Sequence, residues 1–226
     1  MADDPERLIN IRKSGDFNGW RSRGVAKEPW TYEWLKDLGK GSVLYDIGAC
    51  VGTYSLMAGA RGALVYAFEP LPVNYAELQA NIRLNHLSSN VFAVPLAASA
   101  HDGFIELHVH NGGTIPGYGL ASAEKAYEDS DSIWVPSAAL DTLSVTMFNP
   151  PTHIKIDVEG FEYMVIYGMQ RFFREKGVES MIVEVDGEEN EEKISQLMYP
   201  FGYFGEEVGE RRSKSDMRTL VYEQAT

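Results

Sequence analysis

The sequence predicts an α/β fold: a doubly wound, mostly parallel sheet with helices on both faces and an antiparallel hairpin at its C-terminal edge. Three observations carry this expectation. Short runs rich in β-branched and aromatic residues alternate with amphipathic stretches of helical length, the pattern of right-handed βαβ units. The runs are predominantly apolar, as strands covered on both faces are, with a few charged residues set among them. The stretch LYDIGACVGTYS, Leu44 to Ser55, passes from strand to helix through a turn holding two glycines. The 226 residues suit one domain, 1–226.

Taken in order, residues 1–40 form an aromatic, partly helical segment that carries three of the four tryptophans. Trp30 and Trp34 stand at i, i+4 and make one helical stripe, so packing over the sheet is their expected role. The core follows from residue 41. Val43–Ile47 reads as a buried strand and Gly52–Ala60 as a helix. Leu64–Phe68 is a second strand, stopped by Pro70, and 73–85 has helical spacing. Val91–Leu96 is a third strand. Residues 103–136 break the rhythm with two strand-like pieces, 104–109 and 133–135, around a glycine-rich loop with the length of a lid or binding loop. His153–Asp157 is a fourth strand, followed by a helix over 161–174. Met181–Val185 is a fifth strand, followed by a helix over 189–199. Residues 203–222 read as the edge hairpin.

Composition excludes several classes. Hydrophobic residues make up 44% and charged residues 23%, the range of ordinary globular proteins. No apolar run has the length of a membrane span, and the N-terminus lacks the basic-then-apolar start of a signal peptide. The single cysteine cannot form an internal disulfide, so a cytoplasmic location is expected. The net charge of -13 would repel nucleic acid, and the acidic runs at 184–192 and 206–210 read as solvated surface. No nucleic-acid partner is expected, and no oligomeric interface is assigned.

In a doubly wound sheet the ligand sits outside the carboxyl ends of the strands, where strand order reverses. The first such turn is Asp46-Ile-Gly-Ala-Cys-Val-Gly52, an acid followed by G-x-x-x-G. That is not the dinucleotide spacing G-x-G-x-x-G, and a carboxylate leading into the turn is badly placed beside phosphates. It suits a cationic ligand without phosphate. Glu69 ends the second strand, 23 positions after Asp46, where a carboxylate can accept both hydroxyls of a ribose. A ribose joined to a cationic group describes S-adenosylmethionine.

The segments VLYDIGACVGTYSL, VYAFEPLPVNYAELQANIRLN and HIKIDVEGFEYMVIYG together resemble the FkbM family of S-adenosylmethionine-dependent methyltransferases. The resemblance runs from about Glu28 to Gly187 and takes in LDTL at 140–143 and KEPWTYEWL before the first strand. It implies a Rossmann-like fold and methylation of a hydroxyl on a sugar, glycan or similar small acceptor. At matching positions it implies that Asp46, Gly48 and Gly52 line the methionine part of the cofactor, that Glu69 binds the ribose, and that Pro70 and Leu71 flank the adenine. Ala49, Cys50, Tyr54 and Ala97 complete the expected cofactor contacts. The family turn usually carries asparagine where this chain has Cys50, which is expected to touch cofactor rather than to react.

Methyl transfer to oxygen aligns a hydroxyl within about 3 Å of the sulfonium methyl and requires something to take the proton. In Ile154-Lys-Ile-Asp-Val-Glu159 the period of two places Lys155, Asp157 and Glu159 on one face. Asp157 is the expected base, Lys155 its partner, Glu159 either a further acid or a helix cap, and Glu184 a fourth group converging from the fifth strand. Asp157 with Glu184 offers a divalent cation two carboxylates, too few for a metal site to be assigned. Of the five histidines, His86 and His101 read as surface residues and His153 starts a strand away from the site. His108 and His110 lead into the glycine-rich loop; His110, Tyr118 and Trp20 are the expected substrate contacts. Ribose methylation of RNA and a non-catalytic cofactor-binding module are the alternative readings.

Overall fold

The computed structural model describes residues 9–12, 28–110, 121–122, 130–143, 147–209 and 217–224. The elements run α1 Pro29–Leu35, β1 Val43–Ile47, α2 Thr53–Ala60, β2 Leu64–Phe68, α3 Pro72–Leu84, β3 Val91–Val94, β4 Ala97–Ala98, β5 Gly103–His110, β6 Ala121–Ser122 and β7 Ser130–Ala138. They continue with α4 Leu140–Leu143, β8 His153–Ile156, α5 Glu162–Tyr167, α6 Gln170–Arg174, β9 Ser180–Asp186, α7 Glu188–Met198, β10 Tyr203–Val208 and β11 Met217–Gln224.

The main sheet has the order β10-β11-β9-β8-β1-β2-β3. Strands β3, β2, β1, β8 and β9 are parallel, and β11 runs antiparallel between β9 and β10. Two reversals restore β10 to the direction of the core, so one strand of the edge hairpin is antiparallel to the sheet rather than both. The chain leaves β1 toward β2 and β3, then returns on the other side to β8. The crevice where strand order reverses therefore lies between the carboxyl ends of β1 and β8.

Alternate residues of each strand serve opposite layers. Tyr45, Ile47, Phe68, Ile154, Ile156, Val183 and Val185 pack with α5, α6 and α7 residues such as Val165, Phe172 and Ile194. Leu44, Val65, Ala67 and Val91 pack with Leu35 of α1, Leu56 of α2 and Leu78 of α3. Helix starts follow local chemistry: Pro29 and Pro72 open α1 and α3, where the missing N–H costs nothing. No helix among the described residues is long and apolar enough to cross a membrane.

Three expectations change. The third strand stops at Val94 because Pro95 cannot donate to the ladder, and the chain moves on into a second sheet of order β4-β7-β5-β6. There β5 and β7 pair antiparallel from Gly103↔Ser137 to His110↔Ser130, which makes one long ribbon of the two short pieces expected at 103–136. The helix expected over 161–174 is two helices. Gly168 lies against the backbone of Ser99, and the Asp141 carboxylate accepts the Arg171 N–H at 3.0 and 3.1 Å, capping α6.

A Cβ at Gly168 would stand 1.9 Å from the Ser99 carbonyl oxygen, a backbone atom that cannot swing aside. Gly168→Ala is expected to destabilise the fold by at least about 2 kcal/mol, read as a lower urea midpoint at unchanged m-value.

Candidate active site

At the switch point the cradle turn is built from backbone. Gly48 (φ 80°) and Gly52 (φ 92°) are left-handed, and Cys50 is left-handed as well at φ 53°. A Cβ on Gly48 would fall 1.9 Å from the carbonyl oxygen of Asp157, so the tips of β1 and β8 touch there and only glycine fits. The N–H groups of Gly48 and Ala49 both donate to the Phe68 carbonyl at 3.0 Å. That of Cys50 donates to Glu69 Oε2 at 2.8 Å. The amides that a phosphate would use at these three positions are already engaged, in keeping with a phosphate-free ligand.

Glu69 is buried at the end of β2, and its other oxygen accepts the Leu71 N–H at 2.9 Å and Asn74 Nδ2 at 3.5 Å. It thereby joins the cradle turn to the start of α3. Leu71 and Ala97 are buried in one apolar cluster where the start of α3 meets the second sheet, with Leu107, Val109 and Val135. Pro70 links Glu69 to that cluster.

The α1–α2 face of the sheet carries a buried polar seam. Asp46 and Lys155 are register neighbours on β1 and β8, with Lys155 Nζ 4.0 Å from Asp46 Oδ1 and 3.3 Å from Asp157 Oδ2. Ser55 of α2 donates to Asp46 Oδ2 at 2.5 Å, while Asp46 Oδ1 accepts no hydrogen bond. The Tyr54 ring lies 4.9 Å from Lys155 Nζ, and its hydroxyl donates to Glu28 Oε2 at 2.7 Å. Glu28, Thr31, Lys155, Ile182, Glu184 and Thr219 line a small cleft beside this seam, with room for about one water molecule.

Electrostatics divide the roles. Burial alone would lower the Lys155 pKa, but the carboxylates of Asp157 and Asp46 outweigh it and hold the value above that of a free lysine, so Lys155 is a fixed cation and not a base. Burial raises the Asp46 carboxyl against the opposing pull of Lys155 and Ser55. Burial, then the Glu28 charge, push the Tyr54 phenol well up, and it stays a donor. Asp157 is the more exposed acid, its side chain 20% accessible against 1% for Asp46.

Of the residues expected from sequence, Asp46, Lys155 and Asp157 converge, and Gly48, Ala49, Cys50 and Gly52 form the adjoining turn. Glu184 reaches the pocket beside Lys155. Glu159 does not cap α5, whose N-cap is Phe161; it stands in a left-handed turn at φ 54°. His110 pairs with Ser130 at the end of β5. Trp20 and Tyr118 lie outside the described residues. Trp34 packs as expected, edge-on to His153 with its Nε1 donating to Ser180. Sequence reading missed Glu28 and Ser55. The Glu-Pro pair that opens α1 was the available signal for Glu28, and a hydroxyl nine positions after Asp46 was the signal for Ser55.

Cys50 in the left-handed region explains the asparagine usual in related turns, since asparagine tolerates that conformation better than other side chains. Cys50→Asn is expected to raise stability by about 0.5–1 kcal/mol and Cys50→Val to lower it by more than that, by urea denaturation. A less stable Cys50→Asn would refute the backbone explanation.

Comparisons with known proteins agree with the fold. The hexuronic acid methyltransferase AglP of Haloferax volcanii is 25% identical over 181 residues, 79% of this chain and 71% of that protein. The crystal structure of methyltransferase FkbM from Methylobacillus flagellatus superposes with a TM-score of 0.58 at 13% identity, covering 97% of this chain, which spans 56% of that longer one. An rRNA methylase from Streptococcus thermophilus gives 0.53 at 9% identity (88% and 95% covered). Fibrillarin from Aeropyrum pernix, crystallised with S-adenosylmethionine, gives 0.51 at 14% (82% and 67% covered). Residues 46–220 match the sequence profile of the methyltransferase FkbM domain, and the chain belongs to the FkbM methyltransferase family.

Proposed function

We propose that the protein is an S-adenosylmethionine-dependent O-methyltransferase acting in the cytoplasm on a hydroxyl of a sugar, glycan or similar small acceptor. The observation that carries this is the Asp46–Lys155–Asp157 seam opening beside a turn whose amides are tied to Phe68 and Glu69. The fit to the cofactor rests on three features: a buried carboxyl oxygen without a hydrogen bond, an acidic mouth, and a backbone cradle that excludes a Cβ. Asp46 would face the cationic methionine part and Glu69 the ribose. The relative named for hexuronic acid supports a sugar as acceptor class.

When bound, S-adenosylmethionine supplies an electrophilic methyl whose sulfur leaves as a neutral thioether. Asp157, at the tip of β8, accepts the hydroxyl proton as the acceptor oxygen attacks. Lys155, 3.3 Å from Asp157 Oδ2, orients that carboxylate and, being permanently charged, offsets part of the surrounding acid. Glu184 and Glu28 line the side from which an acceptor hydroxyl would approach. Among the described residues no group of three or more His, Cys, Asp or Glu could hold a metal ion. Proton removal is assigned to Asp157 because it is the more exposed carboxylate of the seam.

Calorimetry with S-adenosylhomocysteine, followed by transfer assays on a panel of hexosides and hexuronosides, tests the reading. Glu69→Ala should weaken S-adenosylhomocysteine binding by about tenfold or more. Asp157→Ala should leave that affinity nearly intact and lower turnover by about 10²–10⁴. Absence of binding to folded wild-type protein would sink the proposal. Binding without transfer to any hydroxylated acceptor would favour a non-catalytic cofactor module.

A further inference from the structure

Glu162 opens α5 yet is only 1% exposed. Its Oε1 accepts the Gly160 N–H at 2.7 Å, and its Oε2 accepts Asn190 Nδ2 of α7 at 2.6 Å. Gly160 (φ 98°) follows the left-handed Glu159 in the turn that begins at Asp157. The other end of that turn, through the Asp157 carbonyl, abuts Gly48 of the cradle. Helix α7 starts after Gly187, at the end of the strand that carries Glu184. A single buried carboxyl thus ties the β8 turn, which holds the proposed base and props the cradle, to the helix that follows β9.

We infer that Glu162 is a positioning residue of this site: as a carboxylate it clamps the β8 turn against α7 and so fixes where Asp157 and the cradle stand. This rests on the methyltransferase reading above. Both partners are donors, and the ionised carboxyl accepts strongly from both, whereas protonation leaves one oxygen a poor acceptor carrying a hydrogen of its own to donate. Burial pushes Glu162 up to about 7, opposed by the hydrogen bonds from Gly160 and Asn190, with the Asp157 charge adding to the rise. The group facing it from α7, Asn190, is neutral. Near neutral pH the clamp therefore changes state: protonation gives up one acceptor and frees one of the two elements.

Two signs follow, and they differ. Cofactor affinity should fall as pH drops through about 7, because the clamp loosens. Folding responds oppositely. A carboxyl whose folded value is raised contributes stability below its ordinary range, and this is lost as pH rises through about 7. The unfolding free energy of Glu162→Gln relative to wild type should consequently increase from pH 5 to pH 8.

The experiment compares wild type, Glu162→Gln, Glu162→Ala and Asn190→Ala. S-adenosylhomocysteine affinity is measured at pH 8 and pH 6, and Gly160 amide protection is measured in the ligand-free protein. At pH 8, Glu162→Ala should bind about tenfold more weakly and Glu162→Gln about threefold, with Asn190→Ala between them. Wild type should lose about threefold on going to pH 6 while Glu162→Gln stays flat. Gly160 protection should drop by about tenfold in Glu162→Ala. If wild type and Glu162→Gln share one pH dependence, or if Gly160 protection is unchanged in both Glu162 variants, the clamp is refuted. Should Glu162→Ala fail to fold, the glutamine variant alone decides. Failure of every protein to bind the nucleoside would instead overturn the cofactor reading, with Gly160 exchange and the stability slope still judging Glu162.

Discussion

A buried lysine between two aspartates across the β1–β8 seam is the constraint on which the rest of the structure turns. Lys155 is 4% exposed and Asp46 1%, so each would be intolerable alone. Removing one member of such a pair typically costs about 3–5 kcal/mol, because the remaining charge stays buried. Their pairing fixes the register in which Asp46 stands beside Lys155. A slip of one residue would turn Lys155 toward the apolar layer formed by α5, α6 and α7. The pair therefore acts as a register pin at the one place in the sheet where strand order reverses, which is also where a ligand is to be held.

From that pin the local backbone follows. With β1 and β8 in register, their tips meet so closely that the Asp157 carbonyl occupies the space of a Gly48 side chain. The left-handed residues Gly48, Cys50, Gly52, Glu159 and Gly160 belong to these two tips. Strain of this kind persists only where surrounding contacts over-determine it. Here the contacts are Glu69 on the Cys50 amide, Ser55 on Asp46 and Glu162 on the Gly160 amide. Each is an acid or hydroxyl placed by a different element, so the two tips are held from α2, β2 and α5 together.

The legible part of this molecule is the part encoded over short distances. Strands β1 and β2 stand where runs of apolar residues placed them, because a strand buried on both faces needs nothing else to announce it. The cradle was readable because an acid, two glycines and a helix start fall within one short turn. The split of the 161–174 helix was not, since it depends on Ser99 and Asp141, remote in sequence and brought close by the second sheet. The extent of that sheet was hidden in the same way, because β5 and β7 are joined through a glycine-rich stretch that masks their pairing. Glu28 reaches Tyr54 across 26 positions and Asn190 reaches Glu162 across 28, distances at which single-sequence spacing carries no signal.

The same division separates the two halves of the proposed chemistry. Cofactor recognition asks for backbone geometry and one acid per strand tip, which local sequence supplies. The small cleft that the proposed acceptor hydroxyl would approach has walls from α1, β8, β9 and β11, brought together only when the C-terminal strand inserts beside β9. That insertion places Thr219 opposite Glu184, and both line the cleft. Lys155 belongs both to the Asp46–Lys155–Asp157 pin and to the lining of that cleft. In the proposed reading the group that fixes the register therefore also faces the acceptor side, while α1, β9 and β11 supply the rest of the wall.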